Sequence, residues 1–125
     1  MILGLGIDNV TISSVDRFLQ NPDYAKDIFT DKEIALAEEA GDSTDFFAGR
    51  FAAKQAIKKA LEPIVGRDLF NYLLVETTKR NDGSTVVTLK GDLKKAVEAA
   101  GVDEVRVTIS TEGDLATAIS LAQSK

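Results

Sequence analysis

Apolar and polar positions along the chain change their period near the middle. Residues 2–10 are mostly apolar and alternate poorly, the pattern of a buried strand that meets its first charge at Asp8. Thr11, Ser13 or Ser14 can then cap a short helix carrying Val15, Phe18 and Leu19 on one face. Pro22 breaks the chain, and residues 24–29 predict a short turn or helix. Thr30 and Glu33 have the spacing of a capping box, which opens a helix from Ile34 to Gly41. Asp42, Ser43 and Thr44 supply another start signal, and residues 45–61 predict the strongest helix. Phe46, Ala53, Ile57, Ala60 and Ile64 share one face of it, with Phe47 and Phe51 beside them, and Pro63 and Gly66 end it.

The second half turns to period two. Residues 73–78 and 85–89 read as strands about a hairpin turn at Asn81-Asp82-Gly83. Residues 92–100 predict a helix stopped by Gly101. Residues 105–109 alternate cleanly, and 115–122 pair back after a turn at Glu112-Gly113-Asp114. No repeat or linker interrupts this order. It predicts one α+β domain over residues 1–125, a mainly antiparallel sheet packed with a long central helix.

Composition narrows the chemistry. With 44% hydrophobic and 28% charged residues the chain reads as a soluble globular domain. It has no cysteine, which excludes disulfides, thiolate nucleophiles and Cys-ligated zinc. It has no histidine, which excludes Ser-His-Asp and Cys-His sites. Acid–base work must therefore fall to carboxylates, lysines, tyrosines or a metal-bound water. A net charge of −5 argues against nucleic-acid binding through a broad basic face. The apolar start lacks a basic region and reads as neither a signal peptide nor a membrane span, so a cytoplasmic protein with no membrane partner is expected. In 125 residues a large enclosed substrate cavity is hard to fit, and a site shared between subunits would ease this.

Asp8, at the end of an apolar strand, is either a metal ligand or acid, or an aspartate that caps the next helix or reaches solvent. Arg50, Lys54 and Lys58 recur every four residues on one helical stripe, and Phe51, Gln55 and Lys59 on the next. Stacked cations repel unless an anion lies over them, and either a phosphate or a carboxylate would serve; a solvated lysine face is the plainer alternative. Gly4-Leu-Gly6 lacks the third glycine of a dinucleotide motif and opens a strand, so it is set aside as a phosphate loop. Thr108, Ser110, Thr111 and Glu112 put hydroxyls and a carboxylate at a strand end, suited to phosphate oxygens or to a turn.

Three segments together resemble a known family. Gly4-Leu-Gly-Ile-Asp8-Asn-Val-Thr-Ile resembles the opening Gly-Ile-Asp-x-Val-x-Ile of holo-acyl-carrier-protein synthases, which are small phosphopantetheinyl transferases. Phe47-Ala-Gly-Arg50-Phe-Ala-Ala-Lys54-Gln55-Ala-Ile-Lys-Lys59-Ala-Leu resembles their Phe-x-x-Arg-Phe-Ala-Ala-Lys-Glu-Ala-x-x-Lys-Ala-Leu. Val105-Arg-Val-Thr-Ile-Ser110-Thr111, followed by Ala116-Thr-Ala, is similar to their closing Val-x-Val-Ser-Ile-Ser-His and Ala-x-Ala. The resemblance implies transfer of the phosphopantetheine arm of coenzyme A to a serine of an acyl carrier protein, with Mg²⁺ on the pyrophosphate. It further implies that Asp8 and Gln55 hold the metal and that Asp8 and Lys59 are catalytic. Arg50, Lys54, Lys59, Gly66, Ser110 and Thr111 would bind coenzyme A, at sites between the subunits of a homotrimer.

The chain departs from that pattern in specific places. Gln55 replaces a glutamate, Thr111 replaces a histidine, and Glu62-Pro-Ile-Val-Gly66 lacks the family's Gly-Thr-Gly turn. Asp31 and the acidic balance suit an acidic carrier protein poorly, and Arg17, Lys26 and Lys32 offer it a smaller basic patch. Two expectations follow: a working transferase, or a relative that binds coenzyme A or a carrier protein without transfer.

Overall fold

The computed structural model describes all 125 residues. In chain order it runs β1 (Ile2–Thr11), α1 (Ile12–Phe18), α2 (Pro22–Ile28), α3 (Asp31–Glu39), α4 (Ser43–Val65), a 3-10 turn (Tyr72–Leu74), β2 (Val75–Lys79), β3 (Thr85–Leu89), α5 (Gly91–Ala99), β4 (Glu104–Glu112) and β5 (Leu115–Gln123). One antiparallel sheet has the order β1-β5-β4, and β2 and β3 form a separate antiparallel hairpin. The α+β architecture is as expected. No helix is long and apolar enough to cross a membrane.

The α4 helix is the axis of the fold and lies against β1 and β5. Two glycines permit the approach. A Cβ at Gly6 would overlap the Ala56 carbonyl oxygen, and one at Gly4 would overlap that of Ala60. Facing them, Ala52, Ala53, Ala56 and Ala60 are fully buried, so small residues on both sides bring backbone onto backbone. Gly4-Leu-Gly6 is thus a helix-contact pair. One apolar cluster gathers Ile12 and Val15 with this alanine seam, and another gathers Ile57, Leu61, Val75, Leu93 and Val97 beyond it.

Several local expectations change. β1 is not buried on both faces: its inner positions are Gly4, Gly6, Asp8 and Val10, while Leu3, Leu5 and Ile7 turn outward and are exposed beside Ile119. Inner glycines hide the alternation, which is why the strand read as buried throughout. Helix α4 begins at Ser43, capped by the Asp42 side chain on the Asp45 amide, and runs through Pro63 to Val65. A proline in the last turn forfeits one intrahelical bond; the stop falls at Gly66, with φ +88. Residues 72–74 are a 3-10 turn because the Asn71 side chain accepts the Leu73 N–H at 2.9 Å. No side chain of Thr11, Ser13 or Ser14 caps α1. Asp114 does so from the β4–β5 turn, accepting the Ser13 N–H at 2.9 Å and its hydroxyl at 2.6 Å.

Candidate active site

Asp8 stands on β1 opposite Ala118, two residues beyond the Gly6 contact. The close approach of α4 lets Lys59 reach it. The Lys59 Nζ donates to Asp8 Oδ1 at 2.9 Å and to the Ile7 carbonyl at 3.2 Å. The lysine side chain is 56% exposed and the aspartate 18%. Asp8 Oδ2 has no partner within the chain and remains available to a proton, a cation or water.

Gln55 lies one helical turn before Lys59 on the same stripe. The Tyr72 hydroxyl donates to its Oε1 at 2.7 Å. The Tyr72 ring packs against Phe51 and Phe70, with the Lys58 ammonium 5.9 Å from its centroid. Tyr72 escaped the sequence reading because a single tyrosine beyond the helix carries no spacing that points back to Gln55.

Arg50 and Thr111 meet elsewhere, in a cleft of about 220 Å³ that Thr85 and Gly83 also line. Arg50 Nη1 donates to the Thr85 hydroxyl at 2.8 Å, and its guanidinium lies 4.7 Å from the Phe46 ring centroid. Burial pulls its pKa down, with Glu33 opposing. Ser110 does not join Thr111: alternation along β4 sends it to the outer face of the sheet, opposite Thr117. Asp8, Gln55 and Lys59 do not line this cleft, so one chain carries two separate groups of predicted site residues. The largest hollow, about 940 Å³ between the β3 and β4 edges, contains none of them.

Lys54 corrects the sequence reading. It was expected to bind coenzyme A, but it is fully buried and all three of its donors are taken. They go to Glu33 Oε1 at 2.6 Å, the Ile28 carbonyl at 2.7 Å and the Tyr72 carbonyl at 2.9 Å. Glu33 Oε1 also accepts the Thr30 N–H, and Oε2 accepts the Thr77 N–H and hydroxyl. Burial lowers the Lys54 pKa, while Glu33 pulls the other way. The anion over the middle of the cation stripe is thus a carboxylate, and nothing is left on this lysine for a ligand. Gly66 is exposed beyond α4, and its positive φ, not a crowded contact, calls for glycine there.

The donor set fits a metal only in part. No three carboxylates converge anywhere in the fold. Asp8 supplies one charged hard oxygen, whereas Gln55 Oε1 is neutral and already accepts one hydrogen bond from Tyr72. One carboxylate completed by phosphate oxygens is the Mg²⁺ arrangement these residues fit best, with Gln55 at most a neutral second ligand.

Residues 4–119 match the model of the 4'-phosphopantetheinyl transferase superfamily. The chain belongs to that superfamily. A holo-[acyl-carrier-protein] synthase of Clostridium tetani is 34% identical over 100% of this chain and 98% of its own length. The crystal structure of holo-[acyl-carrier-protein] synthase from Neisseria meningitidis superposes with a TM-score of 0.88 at 27% identity, covering 99% of this chain and 100% of that one. An ACPS–CoA complex of Chronobacterium ammoniagenes gives a TM-score of 0.82 at 29% identity over 98% and 97%. These likenesses place the chain among the holo-acyl-carrier-protein synthase type of phosphopantetheinyl transferases, which are enzymes.

Proposed function

We propose that the protein transfers the 4'-phosphopantetheine group of coenzyme A to a serine of an acyl carrier protein, releasing 3',5'-ADP. The observation that carries this reading is the solvent-open pair of Asp8 and Lys59, joined at 2.9 Å at the contact between β1 and α4. The serine oxygen bonds to the β-phosphorus, the bridging P–O bond to the nucleotide half breaks, and the hydroxyl proton must leave. Asp8 Oδ2 is the free acceptor for that proton, and the Lys59 ammonium offsets the charge on the pyrophosphate oxygens. Were Mg²⁺ present, Asp8 would hold it through Oδ2 in place of accepting the proton, which would then pass to water, and the metal would supply charge neutralisation. Arg50 and Thr111 would take the nucleotide's phosphate in their own cleft.

Two features support a homotrimer with sites between subunits. The outer sheet face carries exposed Leu3, Leu5, Ile7 and Ile119 side by side, the kind of apolar patch that marks an interface. The Arg50–Thr111 cleft lies apart from Asp8–Lys59 in one chain, and a neighbouring copy can complete the site. A cytoplasmic setting and no membrane or nucleic-acid partner complete the proposal. The absence of any cluster of three acidic groups that could hold a cation favours the second reading, a protein that binds coenzyme A or a carrier protein without transfer.

Intact-mass measurement of an apo-acyl carrier protein, incubated with the protein, coenzyme A and Mg²⁺, separates the two. Transfer predicts a gain of one phosphopantetheine arm, and Asp8→Ala is expected to slow it by about 10²-fold or more while the fold persists. No gain on several carrier proteins would favour binding without transfer.

A further inference from the structure

We infer that Gln55 serves this site as a hydrogen-bond donor to a phosphate oxygen, oriented by Tyr72, and not as a ligand to a cation. The inference rests on the transferase reading above. The Tyr72 hydroxyl stands 2.7 Å from Gln55 Oε1, the usual length of an O–H···O bond. A carboxamide whose oxygen is engaged on one side turns its NH₂ to the other. That NH₂ meets no acceptor within the chain, and Gln55 is only half-buried, so the group can meet a ligand. Lys59 follows one turn later on the same stripe, which sets a neutral and a charged donor side by side.

Charge points the same way. Asp8 is matched by Lys59 at 2.9 Å, and Gln55 adds no charge, so these three side chains sum to zero. An anionic phosphate can approach without a dication. A carboxylate at position 55 would add one unmatched negative charge facing that phosphate and would make a cation necessary. Tyr72 is well fixed for the task. Its ring packs between Phe51 and Phe70, and its carbonyl accepts from the buried Lys54 at 2.9 Å. It is a positioning residue, acting through the Gln55 amide.

Calorimetric titration of coenzyme A into the native protein, Gln55→Glu and Tyr72→Phe, each in EDTA and in excess Mg²⁺, tests this. The native affinity is expected to change less than about threefold between the two conditions. Gln55→Glu should lose about 10- to 100-fold in EDTA and regain it with Mg²⁺, the scale of a hydrogen bond to a charged group. Tyr72→Phe keeps the ring and the carbonyl, and should lose about 3- to 10-fold in EDTA, with a smaller loss in Mg²⁺. Native binding as dependent on Mg²⁺ as that of Gln55→Glu would overturn the inference and leave the transferase reading standing. So would Gln55→Glu binding as tightly as the native protein in EDTA. No binding by any of the three in either condition would overturn the transferase reading itself, and the inference with it.

Discussion

Lys54 and Lys59 stand five residues apart on α4, and each pairs with one carboxylate at close range, Glu33 at 2.6 Å and Asp8 at 2.9 Å. Their surroundings differ completely. The Lys54 pair is sealed: three donors find three acceptors, and the carboxylate accepts from Thr30 and Thr77 besides. Burying two charges costs several kcal/mol each unless their hydrogen bonds are complete, and here they are. The Lys59 pair is open, with a mostly exposed lysine and one carboxylate oxygen unclaimed. An exposed pair of this kind is worth about 1 kcal/mol or less, so a ligand can rearrange it at little cost. Two lysines on neighbouring stripes of one helix therefore give one cation that holds α3, α4 and β2 together and one that is open to a ligand.

Substitution of the sealed cation should have the largest effect on the fold. Lys54→Ala leaves Glu33 buried and unpaired, which should cost about 3–5 kcal/mol and lower the thermal midpoint by about 10 °C or more. Adding Glu33→Gln to Lys54→Met should recover a large part of that loss, because no lone charge is then left inside. Thermal unfolding by circular dichroism reads both.

The two sheet faces give the next effect. The inner face is closed by α4 across Gly4 and Gly6, whereas the outer face exposes Leu5 and Ile7. If the proposed trimer forms through this face, Ile7→Glu should reduce it to a single chain by light scattering and abolish transfer, with the monomer still folded. An unchanged mass would remove that face from the assembly.

Glu76 gives the smallest effect, at the edge of the sealed region. Burial alone would raise its pKa, but the Thr30 hydroxyl at 2.7 Å and Lys90 at 3.2 Å outweigh burial and lower it. A carboxylate with a folded pKa below its unfolded one adds stability above the unfolded value, and that gain is lost as pH falls through the folded value. Glu76→Gln should therefore flatten the acid limb of the stability profile and leave the dependence near neutrality unchanged.

The contrast between the two lysines also shows how far the sequence could be read. The Thr30–Glu33 capping box forms as its spacing predicted. The same carboxylate, though, also seals Lys54, a partner 21 residues away that no local pattern announces. Helical periodicity marked Arg50, Lys54 and Lys58 as one stripe, but it cannot say that α3 and β2 cover the middle of that stripe while its end stays open. Likewise, Asp8 and Lys59 are 51 residues apart and were joined beforehand only by resemblance to a family. Tyr72 on Gln55 and Asp114 on α1 are long-range contacts from turns, where composition is uninformative. Ser110 and Thr111 were legible as hydroxyls at a strand end, and the alternation that separates them was legible too, once the strand was known to be continuous.

The most direct test of the division of labour on α4 is the transfer rate of Lys59→Ala, measured together with its unfolding midpoint. The open pair predicts a rate lower by about 10²-fold or more, as for loss of a charge-stabilising donor, with the midpoint within a few degrees of the native protein. A native rate would contradict it outright, and a loss of rate matched by a collapse of the midpoint would contradict it by making Lys59 a second structural cation like Lys54.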